Sequence, residues 1–150
     1  MRSWAIERCD LERVLPLRAR ITFDNKRNIE ACVFPGDLFK QAKHWVAVSQ
    51  GRDIAMASLT HSPKKVLNQK ADWLLQFLGV DEEYRGAGIG RELIGTRLEE
   101  VRAAGSKFAW CSARVEKVLL YESLGALRES FMYDFPLLGL HVDMLYGPLP

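Results

Sequence analysis

The sequence predicts one α/β domain around a mixed β-sheet, and two features carry that prediction. "WLLQFLGV" (73–80) is apolar almost throughout, as a strand in the middle of a sheet would be, and a glycine loop, a helical pattern and "FAWCSA" (108–113) follow it. Together these form a βαβ unit whose crossover should be right-handed and whose two strands should be parallel. "HWVAVSQ" (44–50) and "DIAMASLTH" (53–61) alternate with period two around Gly51-Arg52, which marks an antiparallel hairpin. A parallel unit joined to an antiparallel one makes the sheet mixed. With 150 residues, 48% of them hydrophobic, and no linker, repeat or low-complexity tract, the chain suits a single domain over 1–150.

Each element has its own signal. Trp4 to Glu7 alternates like a short strand, and Asp10 then stands where a helix N-cap would, ahead of Leu11, Val14, Leu15 and Leu17 at helical spacing. Residues 23–43 carry a Phe-Pro-Gly-Asp turn and the start of a short helix at Asp37. After the hairpin, Ser62 to Lys70 reads as a polar loop. Beyond the glycine loop, Ile89, Leu93, Ile94, Leu98 and Val101 form an amphipathic helix that Gly105 stops. A second helix is expected from about Glu116 to Leu124, ended by Gly125. "ALRESFMY" and "HVDMLYG" supply two last strands around a Pro136 to Gly139 turn.

Composition excludes several classes. Twenty-one basic residues against nineteen acidic give a net charge of +2, which is far from the field of a nucleic-acid binder. Charges at Arg8, Asp10, Glu12 and Arg13 interrupt the N-terminus where a signal peptide needs an apolar core, and no apolar run is long enough to span a membrane. Three cysteines without a CxxC pair, and three scattered histidines, argue for reduced thiols in a cytoplasmic protein with no metal site.

The motif that carries chemistry is "YRGAGIG" (84–90), set between a strand and a helix, where unpaired backbone N–H groups favour an anion. A dinucleotide fingerprint would need its third glycine at Arg91, and no acidic residue follows to hold a ribose, so a nicotinamide-dependent oxidoreductase is disfavoured. A triphosphate loop would need a Gly-Lys pair, which the chain lacks. Arg85-Gly86-Ala87-Gly88-Ile89-Gly90 does match the [Q/R]-x-x-G-x-[G/A] pyrophosphate pattern. "FLGVDEEYRGAGIGREL" resembles the signature of the GNAT acyltransferase superfamily, and "ARVEKVLLYESLGA" (113–126) resembles a second family segment downstream. Glu82, Lys117 and Ala126 depart from the family's usual proline, alanine and phenylalanine.

The resemblance implies a GNAT fold with a splayed parallel strand pair and transfer of an acetyl group from acetyl-CoA to an amine, on a small molecule or a peptide. It assigns the pyrophosphate to the backbone of Gly86, Ala87, Gly88, Ile89, Gly90 and Arg91, with Arg85 and Arg91 adding charge. Leu78 and Val80 are assigned backbone bonds to the pantetheine arm, and Tyr121 becomes the candidate acid that protonates the leaving thiolate. Glu82 and Glu83 are either base candidates or exposed turn residues. Phe23, Phe34, Tyr133 and Phe135 are candidate walls of an acceptor pocket, and His141 is either a structural or a substrate-facing residue. Cys111 reads as a buried hydrophobe. A coenzyme A-binding module without turnover remains the alternative, which the loop supports as well and Tyr121 does not; a homodimer is left open.

Overall fold

The computed structural model describes residues 3–150. Its seven strands are β1 (Ala5–Cys9), β2 (Lys43–Ser49), β3 (Arg52–Val66), β4 (Gln69–Val80), β5 (Ala109–Arg114), β6 (Leu127–Phe135) and β7 (Gly139–Tyr146). They form one sheet in the order β1-β2-β3-β4-β5-β7-β6, parallel only between β4 and β5. The apolar run therefore takes the central place its composition required. Trp45 and Trp73 fill the main core, and Trp110 packs with Val66, Ala71 and Leu145 in a smaller one.

Helices α2 (Ile89–Ala103) and α3 (Val118–Ser123) cover one face of the sheet. Ile89, Leu93, Ile94 and Val101 of α2 pack there on Ala55, Ala57, Leu75 and Cys111. The other face takes α1 (Leu11–Leu17), whose Val14 and Leu17 meet Val46 and Met56, and the π-helical turn Arg18–Thr22 that continues it. Gly105 and Gly125 end α2 and α3 with φ of 83° and 100°, a backbone region open to glycine at little steric cost.

Three boundaries differ from the sequence reading. Ser62 to Lys70 is no loop: β3 and β4 run through it and turn at Leu67-Asn68, both left-handed. The polar composition reflects an exposed hairpin tip with a break in register between His61 and Lys64, where Pro63 cannot donate to the ladder. The short helix expected from Asp37 is a 3-10 turn over Pro35–Leu38, preceded by another over Ile29–Cys32. The second helix, expected from about Glu116, opens as a 3-10 turn over Val115–Lys117 and becomes α-helical only from Val118, as α3.

The decisive local feature lies at the centre. β4 and β5 pair only at Trp73 with Ala109 and Leu74 with Trp110, and beyond that they part. Nearby, β4 shifts its register against β3 between Ala57 and Ser58, and Phe77 sits at φ 59°. A bulge of this kind bends a strand and re-aims its side chains. The result is an unpaired β4 edge next to the glycine loop.

Candidate active site

The parting strands open a cavity of about 730 Å³. Leu78, Val80, Arg85, Gly86, Gly88, Ile89, Gly90, Arg91 and Tyr121 all line it, so the positions assigned to acetyl-CoA and to the acid converge on one space, with Ala87 alone of that set outside its lining. Gly86 and Gly88 have φ of 81° and 96°, and the Gly88 carbonyl accepts the Glu92 N–H at 3.1 Å as α2 begins. A Cβ built at Gly86 or Gly88 meets nothing within 4 Å, and one at Gly90 first meets a Leu78 methyl at 3.9 Å. The Cβ directions of Gly86 and Gly88 thus lead into open space, and a glycine loop at the start of a helix fits a coenzyme A pyrophosphate. Arg85 folds back so that its Nε donates to the Val80 carbonyl at 3.1 Å.

Tyr121 enters from the face that carries α2 and α3, packed against the main core. Burial pushes its phenol up to about 12, with the nearby Arg97 cation opposing the shift. Arg97 is only 1% exposed. Its Nε donates to the Leu93 carbonyl at 3.2 Å and its Nη1 to the Ser58 and Phe77 carbonyls, both at 3.0 Å. No carboxylate pairs with it, and burial lowers it to about 10, so it is still a cation at neutral pH. Tyr146, whose buried hydroxyl has no hydrogen-bond partner, also lines this part of the cavity.

The opposite face supplies an aromatic wall. Phe34 packs edge-on to Phe77 at 5.0 Å and stacks with Phe135 at 6.4 Å, and Phe135 lies 5.1 Å from the His141 ring. Phe34, Tyr133, Phe135 and His141 line the cavity, whereas Phe23 is 2% exposed and belongs to the core beneath. His141 Nδ1 lies 2.8 Å from the Gly139 carbonyl. A carbonyl accepts only, so that nitrogen carries the proton. Gln76 reaches the cavity while its Oε1 accepts from Thr60 at 3.4 Å.

Glu82 and Glu83 do not reach this space. They line a separate shallow cleft with Arg20, Arg52 and Asp81, where Arg20 pairs with Asp81 and Arg52 lies 3.3 Å from Glu83. Cys111 lies in the cavity wall, but burial pushes its thiol up to about 12, so it stays protonated and behaves as the small hydrophobe the sequence suggested.

Residues 40–125 match the family described as the acetyltransferase (GNAT) domain. The chain belongs to the GNAT acetyltransferases. No curated protein matches the sequence. Among solved structures, Escherichia coli ElaA is similar at 19% identity and TM-score 0.75, over 97% of this chain and 99% of that one. Ard1 from Thermoplasma volcanium is 13% identical with TM-score 0.78, over 99% of this chain and 100% of that one. The NatC complex bound to Gag peptide and CoA matches at 15% identity and TM-score 0.69, over 97% and 99%.

Identities this low speak for the GNAT fold alone, so the residues of this GNAT chain must carry their own chemistry. Sequence reading missed Arg97. Its signal was present: four residues after Leu93 and three after Ile94, it falls on the apolar stripe of α2, where a charge needs a reason. Also missed were Ser112 and Asp143, which face each other across β5 and β7. Among the described residues no helix is long and apolar enough to cross a membrane, and no cluster of ligands suits a metal.

Proposed function

We propose that this GNAT domain is an N-acetyltransferase that moves an acetyl group from acetyl-CoA directly to an amine on a small molecule or a peptide. The observation that carries this reading is convergence: the open glycine loop, the unpaired β4 edge and the Tyr121 phenol all border one cavity. The N–H groups of Gly86 to Arg91 would hold the pyrophosphate, and the Arg91 and Arg85 side chains would add charge-assisted bonds. Backbone groups at Leu78 and Val80 would take the pantetheine arm as an added strand. When bound, acetyl-CoA supplies an acyl thioester for attack by a neutral amine.

The protein's own part is to orient and to handle protons. A backbone N–H on the free edge of β4 would polarise the carbonyl. Tyr121 would give its proton to the departing sulfur, and the phenolate left behind would face the Arg97 guanidinium rather than a purely apolar wall. The free thiols of Cys9, Cys32 and Cys111 agree with a reducing, cytoplasmic setting.

A thermal-shift comparison of acetyl-CoA, coenzyme A, NAD and ATP tests this reading, because a ligand that binds only the folded state raises Tm. We expect shifts with the two coenzyme A compounds only, and their loss in Gly88→Glu, whose side chain would fill the open space beside the loop. A shift retained by Gly88→Glu would refute the site. Coenzyme A binding without acylation of any amine would leave the binding-module reading instead.

A further inference from the structure

The acceptor nitrogen must lose a proton, yet none of the residues lining the cavity is a carboxylate. An acid, Asp143, does lie behind two of the lining hydroxyls. The Tyr133 hydroxyl donates to Asp143 Oδ1 at 2.7 Å, and Ser112 Oγ is hydrogen-bonded to the same Tyr133 oxygen. A phenol has one proton, and here it is spent on the carboxylate. The Ser112 hydroxyl must therefore be the donor to Tyr133, which leaves the Ser112 oxygen free to accept from an N–H. Ser112 and Tyr133 both line the cavity, and Asp143 is 7% exposed. At the far end Asp143 Oδ2 meets Lys64 Nζ at 2.5 Å, and the Lys64 side chain is 46% exposed.

We propose that Ser112, Tyr133 and Asp143 form a proton relay that carries the amine's proton from the cavity to the solvent-facing Lys64 edge. The inference rests on the acetyltransferase reading above. Side chains alternate along β5, so Ala109, Cys111 and Ala113 face the main core, where Tyr121 also packs, while Trp110, Ser112 and Arg114 face the other way. Acid and relay thus reach the gap between β4 and β5 from opposite faces of the sheet. The amine would approach from the aromatic side.

The protons balance. As the C–N bond forms, the nitrogen becomes far more acidic; its proton passes to the Ser112 oxygen, the Ser112 proton to Tyr133, and the Tyr133 proton to Asp143. The C–S bond breaks, and the sulfur takes the Tyr121 proton. Water then removes the proton from Asp143 and restores that of Tyr121, so the sum is amine plus thioester to amide plus thiol. The charged or titratable groups around Asp143 are Lys64 from β3, Tyr133 from β6 and Cys111 from β5, with His141 on its own strand beside the Tyr133 ring at 6.3 Å. The Lys64 ammonium also sits over the Trp110 and Tyr133 rings at 5.0 and 5.8 Å, which holds the exit in place.

Ser112 would touch the substrate, and Tyr133 and Asp143 would act through it. The test is steady-state acylation of an amine that the unaltered protein accepts, measured from pH 6 to 9 at rising concentrations of an imidazole buffer. Asp143→Asn keeps an acceptor for Tyr133 without a base, and Tyr133→Phe breaks the chain. We expect kcat to fall roughly a hundredfold in each, as for loss of acid–base assistance, and to recover with buffer concentration and with rising pH. KM for acetyl-CoA and its stabilising shift should not move. Full kcat with an unchanged pH profile in both variants would overturn the relay. So would a buffer-rescued loss confined to His141→Gln, which would place the base at the imidazole. Failure of the unaltered protein to acylate any amine would instead overturn the acetyltransferase reading, and the relay with it.

Discussion

Two arginines meet at the bulge in β4 from opposite faces of the sheet, and they are buried on different terms. Arg18, on the α1 side, is 0% exposed; it pairs in bidentate fashion with Asp37 at 2.6 and 2.9 Å, donates to Ser58 Oγ at 2.8 Å and lies 4.1 Å over the Phe77 ring. Arg97, on the α2 side, touches the same two residues through their carbonyls and has no acid to balance it. A paired buried charge is a closed account, whereas an unpaired one in a cavity wall has charge left for whatever enters. Arg18 is a structural clamp. On the acetyltransferase reading proposed above, Arg97 would meet negative charge that appears only during the reaction.

The largest effect should come from opening the clamp. Asp37→Ala strands Arg18 as a buried, uncompensated cation, which costs about 3–5 kcal/mol and should lower Tm by roughly 10 °C in a chain of this size. The Asp37 carboxylate also accepts the Phe34 N–H at 2.7 Å, so the aromatic wall loosens and KM for the acceptor should rise. The upward shift of Tm with acetyl-CoA should survive, because the glycine loop lies elsewhere. Loss of that shift would mean that the two ends of the cavity are not separable.

Next in size is the acid and its cation. Tyr121→Phe should lower kcat roughly a hundredfold, about 2.7 kcal/mol, with KM for acetyl-CoA held. Arg97→Met strands no acid but deprives the Ser58 and Phe77 carbonyls of a donor, about 1–3 kcal/mol each. If the comparison holds, its kcat falls as well, and the double variant is no slower than Tyr121→Phe, since both act on the same proton. Additive losses would return Arg97 to a purely structural role beside Arg18.

How much of this the sequence displayed follows the same division. The glycine loop, the central strand and Tyr121 were legible because each combines a local pattern with a fixed spacing, and all belong to contiguous segments. Arg97 was hidden by the helical count, which took Leu98 for the buried stripe although Arg97 occupies it and Leu98 is only partly covered. The hairpin tip was hidden because Ser62 to Lys70 has few apolar residues, yet its buried Val66 packs with Ala71, just beyond it, and Trp110. Ser112, Tyr133 and Asp143 come from three strands, and only the register that sets Ser112 opposite Asp143 and Tyr133 opposite His141 brings them together. Register between distant segments leaves no local trace in composition.

The smallest effect sharpens the comparison through pH. Burial raises the Tyr121 phenol to about 12 while Arg97 pulls it down, so the proposed acid would be protonated, and competent, below that value and lost only as pH rises through it. A group with its pKa raised this far cannot generate an alkaline limb in the range where enzymes are usually assayed. The kcat profile of the unaltered protein should therefore show no fall up to about pH 9, short of the value of about 10 at which Arg97 itself would give up its charge. In Arg97→Met the opposing cation is gone, the phenol moves higher still, and the profile stays flat at its lower level. A descending limb near pH 8 or 9 that disappears in Tyr121→Phe would show that bound substrate and Arg97 together bring the phenol into the neutral range, which would make Arg97 the stronger partner of the two.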